Sequence, residues 1–270
     1  MCEILKVSRS GYYSWLKRPE SNRAIRNKNI LAILIKAHNK APMAGLDYLW
    51  HDVTEHIPCC RSTVYRIMKE NGIKSKRKPK WKQTTNSKHD LPIAPNLLKQ
   101  DFNVCFPNSV WVGDITYNWT NEGWLYTAIV KDLCTKEIVG YAMGDSITKE
   151  LAIKAMKMAI KRERPNPGLI FHSDRGSQYC SKDYQKLLKS NNINSSMIRK
   201  GNPYDNAVAE NFFSNMKCEC TNFYSFNTRS EAKQTIFEYI EIYYNRQRRH
   251  SGCGWISPKK YKQLLMSKAA

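Results

Sequence analysis

Acidic residues are scarce: 23 Asp and Glu stand against 44 Lys and Arg in 270 residues, a net charge of +21. A surplus of that size exceeds what solubility asks for and points to a polyanionic partner, nucleic acid first. Long apolar runs are also missing. The longest nearly apolar stretch, Trp124 to Val130, falls far short of the ~20 residues of a membrane span, which excludes a membrane partner. The N-terminus, Met1-Cys2-Glu3-Ile4-Leu5-Lys6, lacks an apolar signal segment, so secretion is not expected. No internal repeat is visible, so a repeat array is excluded. No Cys-x-x-Cys pair occurs among nine scattered cysteines, which read as reduced cytosolic thiols. His51, His56, Cys59 and Cys60 lie within ten residues. Adjacent cysteines do not easily both reach one tetrahedral ion, so zinc is not expected there.

What is present supports a folded chain. Hydrophobic residues make up 41%, enough for a buried core, and the length allows one large domain or two to three small ones. The charge is unevenly placed. Residues 1–90 carry a net +12, residues 91–225 only +3, and residues 226–270 a net +6. The surplus lies in the flanks, as gripping ends around a different kind of centre would place it. Lys74 to Lys82 holds six cations in nine residues around Pro79 and reads as a linker able to track phosphates, with Trp81 inside it.

The first third is helical in pattern. Helices are expected over Ile30–Asn39, Leu46–Glu55 and Arg61–Gly72, and Leu5–Trp15 has a similar rhythm: a short apolar turn, Ser-Arg-Ser, then an aromatic helix. In Arg61–Gly72, Ser62 is the expected N-cap and Gly72 the stop. Val64, Ile67 and Met68 make its apolar stripe, leaving Arg61, Thr63, Arg66 and Lys69 to face outward. A helix, a short turn and a second basic helix describe a helix-turn-helix, with those four residues as DNA contacts.

The centre switches to strand periodicity. Ser109–Trp119, Leu125–Leu133 and Ile138–Gly144 read as hairpin-linked strands. A helix over Lys149–Arg164, a strand at Leu169–His172, a helix near Lys182–Asn191, a strand at Ser195–Ile198 and a helix over Asn206–Cys218 follow. That order indicates a mixed α/β sheet. Three acids sit at informative places. Asp114 lies inside an otherwise apolar strand, a costly position unless the charge is paired or holds a metal. Asp174 closes a strand, where α/β sheets bind ligands. Glu210 lies in the last core helix, with Lys217 two turns further along the same face. Read alone, each acid has a plain explanation: a strand-edge charge, a turn cap, a solvated helix face. Together they suit Mg²⁺ (or Mn²⁺), which takes carboxylate oxygens, waters and phosphates. Two such ions hold the attacking and leaving oxygens of one phosphodiester in line, and three carboxylates suffice if one bridges. Lys217 is then placed to touch a DNA phosphate. Asp205 reads as a helix cap and His172 as a packed core residue. In the C-terminal arm, Arg229–Arg249 reads as one amphipathic helix with Ile236, Phe237, Ile240 and Tyr243 inward, ending in the phosphate-contact candidates Arg246, Arg248, Arg249 and His250.

The motifs resemble a known family. Trp111-Val112-Gly113-Asp114-Ile115-Thr116-Tyr117, His172-Ser173-Asp174-Arg175-Gly176-Ser177-Gln178-Tyr179 and the run from Asn202 through Glu210 into Ser214 look like those of bacterial insertion-sequence transposases of the retroviral-integrase type, the OrfB-like product. Tyr243-Tyr244-Asn245-Arg246, Arg249-His250-Ser251 and Ser257-Pro258 continue the likeness. Gly252-Cys253-Gly254-Trp255 departs from the family's usual Leu-Gly-Tyr-like stretch.

The resemblance implies an RNase H-like fold and metal-dependent DNA cleavage and strand transfer by an Asp-Asp-Glu triad, here Asp114, Asp174 and Glu210. It divides the chain into a helical helix-turn-helix region (1–75), a basic linker (76–107), a catalytic core (108–225) and a C-terminal helical arm (226–270). It further implies element terminal repeats and target DNA as partners, at least a dimer at synapsis, and a nucleoid-associated place in the bacterial cytoplasm. The start at Met1, with little ahead of Leu5–Trp15, suggests an upstream-frame DNA-binding partner. The alternatives are an RNase H-like endonuclease without strand transfer and a DNA-binding regulator that has lost catalysis.

Overall fold

The computed structural model describes residues 2, 4–6, 8–76, 93–99, 101–198 and 207–269. Most of the basic linker, with Trp81, and the segment 199–206, with Asp205, lie outside the described residues. Two compact units make up the chain, Met1–Lys76 and Arg77–Ala270.

The first unit holds α1 (Arg9–Leu16), α2 (Asn22–Lys40), α3 (Leu46–Thr54) and α4 (Arg61–Glu70). Helix α2 starts eight residues before its apolar stripe because the Ser21 side chain caps it, accepting from the Ala24 N–H at 3.2 Å. Ile30 and Leu34 of α2, Leu49 and Val53 of α3, and Val64, Ile67 and Met68 of α4 are buried. Buried residues four apart on each helix thus close a small three-helix core. Ser62 is not the cap of α4. Cys60 holds that position in extended backbone, and Ser62 is already helical.

The second unit is built on a five-stranded sheet of order β3-β2-β1-β4-β5. The strands are β1 (Val110–Thr120), β2 (Gly123–Asp132), β3 (Ile138–Gly144), β4 (Ile170–Ser173) and β5 (Asn194–Met197). β1, β2 and β3 form an antiparallel meander, while β4 and β5 add on in parallel. On one face, α5 (Lys149–Glu163), α6 (Ser177–Cys180) and α7 (Lys182–Ser190) cover Trp111, Ala128, Val130 and Phe171. Gly140 of β3 lets α5 come this close: a Cβ there would stand 2.3 Å from the Ala155 carbonyl oxygen. On the other face, α8 (Ala207–Glu219) and α9 (Arg229–Glu238) cover Leu125, Ile129 and Tyr141.

The C-terminal arm is not one helix. After α9 the chain widens into a π-helix, Tyr239–Tyr244, in which the Asn245 N–H reaches the Ile240 carbonyl at 3.0 Å. The wide turn buries Tyr239, Ile240 and Tyr244, and leaves the expected inward residue Phe237 41% exposed. It also aims the Asn245 amide at β3, where it bonds both the N–H (2.9 Å) and the carbonyl (3.0 Å) of Ile138. The final helix, α10 (Pro258–Ala269), is tied down by Lys262, which pairs with Glu163 at 2.6 Å and Glu137 at 3.1 Å.

Candidate active site

The parallel β1–β4 ladder ends where Gly113 faces Ser173. The next residue of each strand is an acid, so Asp114 and Asp174 leave the ladder side by side, on strands about 4.8 Å apart. Among the described residues β1 has no ladder partner on that side from Asp114 until Thr120, which bridges Phe226 in parallel. Gly113 is required here, because the Phe171 ring would stand 2.4 Å from a Cβ. Asp174 Oδ1 accepts from the Gly176 N–H at 2.9 Å, which fixes the turn after β4. The Arg175 Nε donates to the Ile198 carbonyl at 2.7 Å and joins that turn to the end of β5. His172 is fully buried and bonds the Ser196 hydroxyl at 2.9 Å, so it is a core residue.

Glu210 comes from the first turn of α8. Ala209 beside it packs against Val110 and Val112, and this contact seats the helix on β1. The acids sense one another. Burial first, then the charge of Asp174 and that of Glu210, push the Asp114 carboxyl up to about 8. The Ile115 N–H, 2.8 Å from Asp114 Oδ1, and the Lys217 ammonium pull the other way. Lys217 lies 5.1 Å from the centre of the Tyr117 ring. Burial lowers its pKa and the charge of Asp114 opposes that. Among the described residues no three His, Cys, Asp or Glu side chains stand close enough to hold a metal ion as they are. The donor set nevertheless fits a hard cation: three carboxylates, two of which raise the pKa of the third, faced by one partly buried ammonium.

Residues 106–203 and 191–258 match two family models, each described as the integrase core domain. The insertion element IS600 uncharacterized 31 kDa protein of Shigella sonnei is 47% identical, with 100% of both chains covered. The transposase InsF for insertion sequence IS3A of Escherichia coli K12 is 39% identical, over 97% of this chain and 92% of the relative. The chain belongs to the insertion-sequence transposases of integrase type. A solved structure carries the fold: a chain in the simian T-cell lymphotropic virus intasome complex with PP2A regulatory subunit B56 gamma matches with a TM-score of 0.51. Its identity is 15%, over 85% of this chain and 74% of that one. The core is thus RNase H-like, and the family's reaction is polynucleotidyl transfer.

The other candidate residues of the transposase are scattered. In the first unit Arg61 is exposed and pairs with Asp47 at 2.5 Å, and Arg66 pairs with Glu70 at 2.8 Å. Thr63 is half-buried, 3.1 Å from the Cys60 sulfur. Thr63 and Arg66 border a cleft of about 660 Å³ shared with Arg23 and Arg26 of α2. Lys69 is exposed. In the second unit Arg246 is exposed, whereas Arg249 is half-buried and donates to the Trp255 carbonyl at 3.0 Å. Arg248 does not point to solvent: it forks onto Glu219 at 2.6–2.9 Å. His250 is held down to about 3 by burial and by Lys131, and caps the turn at Ser251–Cys253.

Two residues escaped the sequence reading. Tyr179 is 3% exposed, and its hydroxyl finds no partner among the described residues. Burial first, then Tyr184 and the charges of Asp114 and Asp174, raise its pKa. Its place in the His172–Tyr179 motif was the only signal. Lys131, 2% exposed on β2, lies 3.5 Å from the Val208 carbonyl in the turn that carries Glu210. One cation in an apolar strand gave no sign of facing inward.

Proposed function

We propose that Asp114, Asp174 and Glu210 are the catalytic carboxylates of the transposase and hold two Mg²⁺ or Mn²⁺ ions for DNA cleavage and strand transfer. The adjacency of Asp114 and Asp174 at the end of the β1–β4 ladder, with the charge of Glu210 on α8 felt at Asp114, carries the reading. Bound divalent ions supply Lewis acidity at the phosphodiester and neutralise charge there. The chain's own groups do the rest. The three carboxylates fix where the scissile phosphate sits, and Lys217 contacts a neighbouring phosphate. A water oxygen bonds to phosphorus as the bond to the 3′ oxygen breaks, and that oxygen leaves as a hydroxyl. The freed 3′-hydroxyl then attacks a second phosphodiester in line. Each step makes one P–O bond and breaks one, so no energy-rich cofactor is needed. Ser173 is not a nucleophile: it is 1% exposed and its hydroxyl donates to the Asp174 carbonyl at 3.0 Å.

DNA is gripped by cations outside the acid site. Arg61, Thr63, Arg66 and Lys69 on α4 form the helix-turn-helix face, and Arg246 and Arg249 form the basic end of the arm. The proposed regions are the helix-turn-helix part to residue 75, the basic linker to 107, the core to 225 and the C-terminal arm beyond it. Synapsis of two element ends calls for at least two copies. No helix among the described residues is long and apolar enough to cross a membrane, and the bacterial nucleoid is the proposed place of action.

Glu210→Ala separates this reading from its alternatives. It removes one half-buried carboxylate from the first turn of α8, so cleavage and joining of a labelled element end should vanish while duplex binding persists. Joined products retained in Glu210→Ala would overturn the assignment. Nicks without joined strands from the wild type would favour the endonuclease.

A further inference from the structure

Beyond Asp114, β1 and β2 carry two consecutive aromatic cross-strand pairs on one face, Tyr117 opposite Tyr126 and Trp119 opposite Trp124. The rings touch in sequence: Trp119 to Trp124 at 4.8 Å, Trp124 to Tyr117 at 5.0 Å and Tyr117 to Tyr126 at 6.3 Å. Cross-strand pairing stabilises a hairpin, but it does not require the rings to stay in water. Trp119 is 57% exposed, Trp124 42% and Tyr117 37%. Two cations flank the row. Lys217 lies over the Tyr117 ring, and Arg229 donates to the Trp124 carbonyl at 3.1 Å. The row starts three residues beyond Asp114 on β1, and Lys217, which lies over its first ring, feels the charge of Asp114.

We infer that Tyr117, Trp119 and Trp124 form a stacking platform for unpaired DNA bases next to the cleavage site. Aromatic faces bracketed by cations are what single-stranded nucleic acid uses: bases stack on the rings and phosphates meet the charges. A scissile phosphate at Asp114 brings its neighbouring nucleotides toward Lys217 and the row of rings that it touches. Stacking there rewards strands whose ends have opened, so it favours frayed element ends over continuous duplex. The inference rests on the acid site being where DNA is cut.

The test uses the full chain in EDTA, where nothing is cleaved. Fluorescence anisotropy compares a duplex bearing an unpaired thymidine tail with the same duplex bearing an abasic tail, so the phosphate charge is identical. The wild type should prefer the thymidine tail about tenfold, the low end for a single base–aromatic stack. The double variant Trp119→Ala/Trp124→Ala should bind both tails alike and keep its duplex affinity within about twofold. Trp119→Phe, which keeps an aromatic face, should retain the preference and guards against misfolding of the double variant. Equal binding of the two tails by the wild type would overturn the inference. So would a preference that survives in the double variant, including the case where that variant loses self-association in sedimentation; the rings would then join copies of the chain. Cleavage in Mg²⁺ is scored separately, so a failed acid-site reading leaves its own signature, a wild type that stacks but does not cut.

Discussion

Asp114 and Asp174 stand side by side because Gly113 faces Ser173 at the last step of the parallel β1–β4 ladder. Two carboxylates placed this way repel unless a cation or a proton comes between them, and the pKa of Asp114 is raised by burial first and by this repulsion second. Divalent cations should therefore stabilise the folded chain. Adding about 10 mM Mg²⁺ raises the wild-type melting temperature by a few °C, corresponding to about 1 kcal/mol of linked binding. Asp114→Asn loses most of that gain and all strand cleavage. Differential scanning calorimetry with and without Mg²⁺ checks both halves, and an equal Mg²⁺ response in the variant would contradict the account.

Lys131 gives a pH prediction. Burial first, then the charges of Lys136 and Arg248, push its pKa down to about 7. Between about 7 and the ordinary lysine value near 10.5 the unfolded chain binds the extra proton, so stability rises with pH across that window and is lowest below 7. Lys131→Met should be more stable than the wild type by about 1–4 kcal/mol at pH 6.5, with the gap narrowing by pH 9.5. Urea unfolding at the two pH values measures it. A gap independent of pH would mean that Lys131 is not the titrating group.

Neighbouring arginines should behave in opposite ways. Arg248 and Glu219 are each 15% exposed and paired at 2.6 Å. Arg248→Met strands a buried carboxylate and should cost about 3–5 kcal/mol of stability. Arg246 is exposed; Arg246→Ala should leave the melting temperature unchanged and lower the salt dependence of DNA binding by about one phosphate. The reverse assignment of the two phenotypes would refute the proposed basic end.

Gly140→Ala should destabilise the core without touching the acids. The added methyl meets the Ala155 backbone oxygen at 2.3 Å, and prising α5 off the sheet costs about 1–3 kcal/mol or more. Chemical denaturation reads the loss, and a neutral result would mean that α5 can shift freely.

Much of this architecture was legible from residue types. β-branched and aromatic runs place β1 to β3, and the hairpin turns follow from polar residues between them. The acids stood out because a charge inside Val112–Ile115 or at the end of a short apolar strand asks for a reason. What sequence could not supply was register. Only the pairing of Gly113 with Ser173 makes Asp114 and Asp174 neighbours, and only the Trp119–Trp124 pairing makes four aromatics one surface. The π-helix was hidden too, because a bond between the Asn245 amide and Ile138 over 100 residues away selects it. The cap of α4 fell on Cys60 rather than Ser62 because the helix begins at Arg61, one residue before the better capping side chain.

The most direct test of the metal-holding triad is Asp174→Cys assayed on a labelled element end in Mg²⁺ and in Mn²⁺. A thiolate is a poor ligand for hard Mg²⁺ and a better one for softer Mn²⁺. The account predicts no products in Mg²⁺ and restored cleavage and joining in Mn²⁺, with Asp174→Ala inactive in both. A folded Asp174→Cys chain that stays active in Mg²⁺, or that is no better than Asp174→Ala in Mn²⁺, would contradict it.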